Sequence, residues 1–235
     1  MPDHTGPSRI VGVLGGMGPA ATVDFYDKLV RATPVGRDQE HLRVVIWADP
    51  TVPDRQVALL AGGEDPTPWL EAGVQHLVRC GAEILVAPCN AIHAYLPAVV
   101  EGTGLEFISM VDVTIDAVTR ADSTGRVGLF ATDGALAAGI YQSALEAADL
   151  KPVVPPPSSQ RRLMRLIRAV KAGGAGPLER LELIALLTEL ERVGVSTVIA
   201  GCTEISVLLA DLDVPQHVVD PAQVLALETV QRARR

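Results

Sequence analysis

No run of apolar residues in this 235-residue chain reaches the length that a membrane-spanning helix needs. Positive charge is also short: 20 Lys and Arg stand against 28 Asp and Glu, a net charge of −8. That balance opposes a nucleic-acid-binding surface and favours solubility. The densest basic stretch, "QRRLMRLIRAVKAG", reads as an amphipathic helix with a cationic outer face and does not overturn it. Cysteine is scarce: there are three, far apart, with no C-x-x-C pair. An odd count without framework spacing predicts free thiols in a reducing compartment and speaks against a metal site. The apolar stretch "IVGVLGGMGPAATV" is broken by glycine and proline and follows "MPDHTGPSR", which mixes acid with base. It fits a loop better than a secretory leader, so the expected location is the cytoplasm. What is present, 48% hydrophobic and 20% charged residues, suits one large globular domain or two small ones.

Short apolar runs alternate with helical patterns throughout. Strands are expected at 9–15, 42–50, 83–88, 105–110, 126–132, 196–201 and 217–219. Helices are expected at 19–33, 67–81, after Cys89, at 111–121, 134–148, 159–172 and 177–193, after Cys202 and at 221–235. "VVPPPSS" reads as a proline-rich connector and "TVPDRQVALL" as a proline-punctuated loop carrying Arg55. Strand–helix alternation predicts parallel sheets covered on both faces by helices, with ligands at the carboxyl ends of the strands.

Two cysteines fall at such ends. "EILVAPCNAIHAYLP" places Cys89 where a buried strand stops, and "STVIAGCTEISVLLA" places Cys202 in the same setting. A residue between a strand and a helix start lies among unpaired backbone N–H groups, a setting that lowers a thiol pKa and attracts carboxylates. Two such thiols across a cleft can take a proton from one face of a carbon and return one to the other. The competing reading is two small core cysteines. Cys80, on a helix beside Gly81, is assigned to packing. Zinc on Cys89, His93 and Cys202 is the third possibility, carried only by a C-x3-H spacing. "GVLGGMGPAAT" satisfies a loose dinucleotide fingerprint, but Pro19 occupies a free position and Asp49 comes too late for the ribose acid. Its glycines are expected to let backbone approach a small ligand. Arg55 and Lys171 are candidate carboxylate partners or plain solvated cations.

The motifs "GVLGGMGPAAT", "RDQEH", "PDR", "GEDP", "PCN…H", "GLFAT", "VKAG" and "AGCTE", in this order, resemble the cofactor-independent aspartate racemases of the aspartate/glutamate racemase superfamily. The resemblance implies two similar open parallel-sheet (Rossmann-like) α/β domains with the active site in the cleft between them. Residues 1–106 with 214–235 would form the first domain, carrying Cys89, and 107–213 the second, carrying Cys202. It implies that Cys89 and Cys202 transfer the protons, without cofactor or metal, in a homodimer acting on a small amino acid. Met17, Gly18 and Pro19 match the family's first ligand-facing loop. Asn90, Thr132 and Thr203 match positions near the substrate α-carboxylate and amino group, Arg55 and Lys171 those that hold the side-chain carboxylate, and Glu204 an acid beside the second cysteine. Ala91 and Ala135 replace the family's threonines, and Ile92 adds bulk in what should be the pocket. The expected activity is racemisation of aspartate or a related acidic amino acid. An isomerase or decarboxylase of a small dicarboxylic acid, and a diverged ligand-binding member, are the alternatives.

Overall fold

Each apolar run that stops at a helix start becomes a parallel strand. The protein, a computed structural model, is described for residues 8–121, 124–174, 176–209, 212, 214 and 217–235. Strands β1 (Val11–Gly15), β2 (Val44–Ala48), β3 (Ile84–Val86) and β4 (Glu106–Phe107) form one parallel sheet in the order β2-β1-β3-β4. Strands β5 (Arg126–Ala131), β6 (Lys151–Val153), β7 (Thr197–Gly201) and β8 (His217–Val219) form a second in the order β6-β5-β7-β8. The two orders are the same pattern written twice.

Both sheets are buried on both faces, which is why their central strands read as continuous apolar runs. In the first, Val11, Val13, Ile84 and Val86 face α1 (Pro19–Ala32) and α11 (Pro221–Ala233). Leu14 and Leu85 face α3 (Thr67–Arg79) and α4 (Leu96–Val100). In the second, Phe130, Val198 and Ala200 meet α8 (Pro157–Lys171), α9 (Pro177–Glu191) and α10 (Thr203–Leu209). Val127, Leu129 and Ile199 meet α5 (Met110–Ala121) and α7 (Ile140–Ala147). Helix α5 serves both halves: Met110 and Val113 pack in the first core, Val111, Ile115 and Val118 in the second.

Several expectations need correction. The connector "VVPPPSS" begins inside β6, where Pro152 stands opposite Val127. Because β6 is an edge strand, the missing proline N–H costs no inner ladder bond. Arg55 is not in a loop: it opens α2 (Arg55–Ala61), capped by Asp54, whose carboxylate accepts from the Gln56 N–H at 2.7 Å. The helix foreseen at 134–148 splits at Gly139, which sits at φ 65°, into α6 (Asp133–Ala137) and α7. The expected domain limits shift too. Strand β4 spans the 106/107 boundary, and β8 pairs with β7 in the second sheet. The chain therefore returns to the first sheet with α11 and not at 214. Residues 1–7, weighed as a leader, together with Ala175 of the "GGAGP" break and the boundary residue Asp213, lie outside the described residues.

Candidate active site

Cys89 and Cys202 occupy equivalent places. Strands β3 and β7 are each the third of their sheet in sequence, each flanked by the first and fourth. Cys202 follows β7 directly; Cys89 follows β3 after Ala87 and Pro88, and its N–H donates to the Ala87 carbonyl at 2.8 Å. The thiols are 8% and 7% exposed and line one cleft of about 390 Å3 of space between atoms.

Of the residues expected at the site, Met17, Arg55, Cys89, Asn90, Ala91, Thr132, Lys171, Cys202, Thr203 and Glu204 line this cleft. Gly18 and Pro19 do not; they line an adjoining space of about 1060 Å3 that shares Arg55, Lys171, Thr203 and Glu204 with it. Gly16 has a purely structural reason for being glycine. At φ +90° its missing Cβ would lie 2.3 Å from the Asp49 backbone nitrogen, so a side chain would drive the loop off the end of β2. Two further expectations fail. Ile92 is fully buried among Leu14, Leu85 and Leu96, and Ala135 is buried against Val127 and Tyr141. Neither side chain shapes the cleft; Ala91 alone of the three does.

The surroundings of Cys202 also depart from expectation. The turn after Cys89 is a 3-10 turn, Ala91–Ala94, and α10 after Cys202 spans only Thr203–Leu209, so neither cysteine heads a long helix. The Cys202 Sγ–H donates to Glu204 Oε2 at 2.9 Å. Burial, then the Glu204 charge and this hydrogen bond, push the Cys202 thiol well above its ordinary pKa, while the Lys171 ammonium opposes the rise. Cys202 is therefore held as a thiol, not a thiolate.

His93 binds no metal with this geometry. Its Nε2 accepts from the Met110 backbone N–H at 3.0 Å, which leaves Nδ1–H to donate to the Cys89 carbonyl at 2.9 Å. Burial lowers its pKa to about 4. The imidazole is a neutral staple tying the Cys89 turn to the start of α5. Among the described residues no group of three or more His, Cys, Asp and Glu stands where it could hold a metal ion.

Around the thiols, donors are held by backbone and by distant side chains. Arg55 Nη1 donates to the Val52 and Pro53 carbonyls, both at 3.2 Å, and Nη2 to the Met17 carbonyl at 3.0 Å. The guanidinium thus brackets two loops with three of its five N–H groups. Gln56 reaches from α2 to the second half: Nε2 donates to Thr132 Oγ1 at 2.5 Å, and Oε1 accepts from the Gly134 N–H at 2.9 Å. Asn90 Oδ1 accepts from the buried Tyr141 hydroxyl at 2.5 Å. Gln56 and Tyr141 escaped the sequence reading because their partners lie 76 and 51 positions away, beyond any local pattern. Asp54 and Gly201 also line the cleft without having been expected there.

Two doubly covered parallel sheets, each bringing a cysteine to one cleft, define a two-sheet α/β protein with a candidate site lined from both halves. A model of the Asp/Glu/hydantoin racemase family matches residues 14–229, and the chain belongs to that family. The aspartate racemase of Picrophilus torridus superposes with a TM-score of 0.85 at 29% identity, over 96% of this chain and 94% of that one. The broad specificity amino-acid racemase RacX of Bacillus subtilis (strain 168) is 23% identical over 143 residues, 58% of this chain and 60% of that protein. The fold is also that of the glutamate racemase of Francisella tularensis in complex with D-glutamate, with a TM-score of 0.67 at 15% identity over 96% and 81% of the two chains. The chain is an amino-acid racemase, an isomerase.

Proposed function

We propose that the enzyme racemises an acidic amino acid, aspartate first, by two-base proton transfer between Cys89 and Cys202. The observation that carries this reading is that both thiols reach one cleft from equivalent strand ends of the two sheets. One cysteine, as thiolate, removes the Cα proton; the other, as thiol, protonates the planar carbanion from the opposite face. The pair then holds one proton as before, with the donor and acceptor exchanged. The Cys202 contact with Glu204 supports Cys202 as the thiol of the resting pair, with Cys89 as its partner base in this scheme. Asn90, Thr132 and Thr203 bind the α-carboxylate and amino group, and the remaining N–H groups of Arg55, with Lys171, bind the second carboxylate. The homodimer and the cytoplasmic location expected from the sequence belong to this same reading.

The test is Cα–H exchange in D2O, read by NMR over a panel of amino and dicarboxylic acids. Aspartate or a near relative is expected to exchange and racemise. Cys89→Ser and Cys202→Ser should each abolish racemisation with the fold intact, since a hydroxyl is far too weak an acid to replace a thiol, while Cys80→Ser stays active. Near wild-type racemisation by either active-site variant sinks the two-thiol scheme, and a preference for neutral amino acids removes the role given to Arg55 and Lys171.

A further inference from the structure

The Asn90 side chain is 5% exposed and lines the cleft, yet its Nδ2 is buried without a hydrogen-bond partner among the described residues. A buried amide donor left unpaired is costly, and its presence beside paired thiols points to an acceptor that arrives with the ligand. Which end of an amide faces a cleft depends on what holds the other end. Here that is Tyr141 on α7, 1% exposed, whose hydroxyl lies 2.5 Å from Asn90 Oδ1. Burial pushes the Tyr141 hydroxyl above its ordinary pKa, so it keeps its proton, and it is Oδ1 that faces this hydroxyl as the acceptor. Rotated by half a turn, the amide would present its carbonyl oxygen to an incoming carboxylate and repel it.

We propose that Tyr141 is a positioning residue for racemisation: its hydroxyl locks the Asn90 amide so that Nδ2 donates to the substrate α-carboxylate. The inference rests on the amino-acid substrate proposed above. Tyr141 touches no reacting atom. It acts from the second sheet on a residue that follows a strand of the first, so each half supplies a thiol and the second also orients a donor of its counterpart. Thr114, on neighbouring α5, keeps its own hydroxyl donated to the Met110 carbonyl at 2.6 Å.

The experiment is a double-mutant cycle with Tyr141→Phe, Asn90→Ala and the double variant, read on aspartate or on whichever amino acid of the panel exchanges fastest. Steady-state KM and kcat are measured alongside calorimetric Kd and the thermal midpoint. Tyr141→Phe, which deletes one oxygen, is expected to raise KM and Kd about tenfold, the scale of one hydrogen bond to a charged group, with kcat nearly unchanged. Asn90→Ala should do at least as much. In the Asn90→Ala background the hydroxyl has nothing left to orient, so Tyr141→Phe should then change KM by less than about twofold. Equal losses in both backgrounds, or a fall in thermal midpoint with KM unmoved, would show Tyr141 to be merely structural and overturn the proposal. A wild type that exchanges no amino acid in the panel would overturn the substrate reading instead; the calorimetric Kd of aspartate would still report on the Tyr141–Asn90 pair.

Discussion

Glu204 stands two positions after Cys202 and accepts its thiol proton. If a single proton must reside on the thiol pair for turnover, the alkaline limb of kcat/KM reports loss of that remaining proton, which the Glu204 anion opposes. Glu204→Gln is therefore expected to move the alkaline limb to lower pH, measured as kcat/KM from pH 6 to 10; a limb that stays or rises contradicts it. His93 gives a second pH effect, on stability. The folded protein keeps the imidazole neutral down to about 4, whereas an unfolded histidine takes a proton near 6.5. Between those values the unfolded chain binds more protons, so this contribution is complete above pH 6.5 and is lost as pH falls toward 4. The loss is about 3 kcal/mol at most. Urea midpoints should decline over that window, and the folded-state NMR shifts of His93 should stay flat to pH 5; a folded titration near 6.5 would refute it. Sequence alone placed both thiols at strand ends, because an apolar run that stops at a cysteine is a local signal. It misjudged the Cys202 thiol, because burial and the carboxylate facing its Sγ are properties of the folded cleft.

Helix α2 buries none of its residues, and Val57 and Leu60 are half exposed. Its side-chain hydrogen bonds to the second half come from Gln56, to Thr132 and the Gly134 N–H. Gly134 has to be glycine for this contact, since a Cβ there would lie 2.8 Å from Gln56 Nε2. Gln56→Ala should leave global stability within about 0.5 kcal/mol, as expected of a change away from the core. It should also raise KM about fivefold, the worth of roughly 1 kcal/mol of lost hydrogen bonding, and speed proteolytic cleavage near residues 55–61. An unchanged KM with unchanged cleavage would show the clasp to be idle. This helix was hidden in the sequence by the Pro53–Asp54 pair before it, which marks a turn as readily as a helix cap. Strand β6 was hidden by Pro152, which only its edge position makes tolerable. The longer amphipathic helices α8 and α3, with buried faces at helical spacing, were legible nearly to their ends.

The two sheets do not stand apart energetically. Helix α5 buries one face in each core, and Val224 of α11 touches both. Asp220 caps α11 at the Ala222 N–H, accepts from Ser206 of α10 and pairs with Lys28 of α1 at 2.8 Å, joining both halves at one carboxylate. Unfolding one half would strip apolar surface from the other, so calorimetry should show a single transition with calorimetric and van't Hoff enthalpies equal; two resolved transitions would contradict the shared cores. The doubled strand order was only hinted at by the sequence, because equivalence of topology needs no identity of residues. Its consequence concerns mirror images. Substrate and product of a racemase are equal in free energy in water, so kcat/KM must be the same for the L and D forms however the site is built. Under the proposed two-thiol scheme, a scaffold that repeats itself would offer each enantiomer a thiol at an equivalent strand end, yet Glu204 stands beside only one of them. That inequality cannot favour either direction of flux; it can appear only as unequal KM values offset by equally unequal kcat values. One enantiomer would then show the lower KM and the lower kcat, so the two directions would differ at saturation and agree at low substrate.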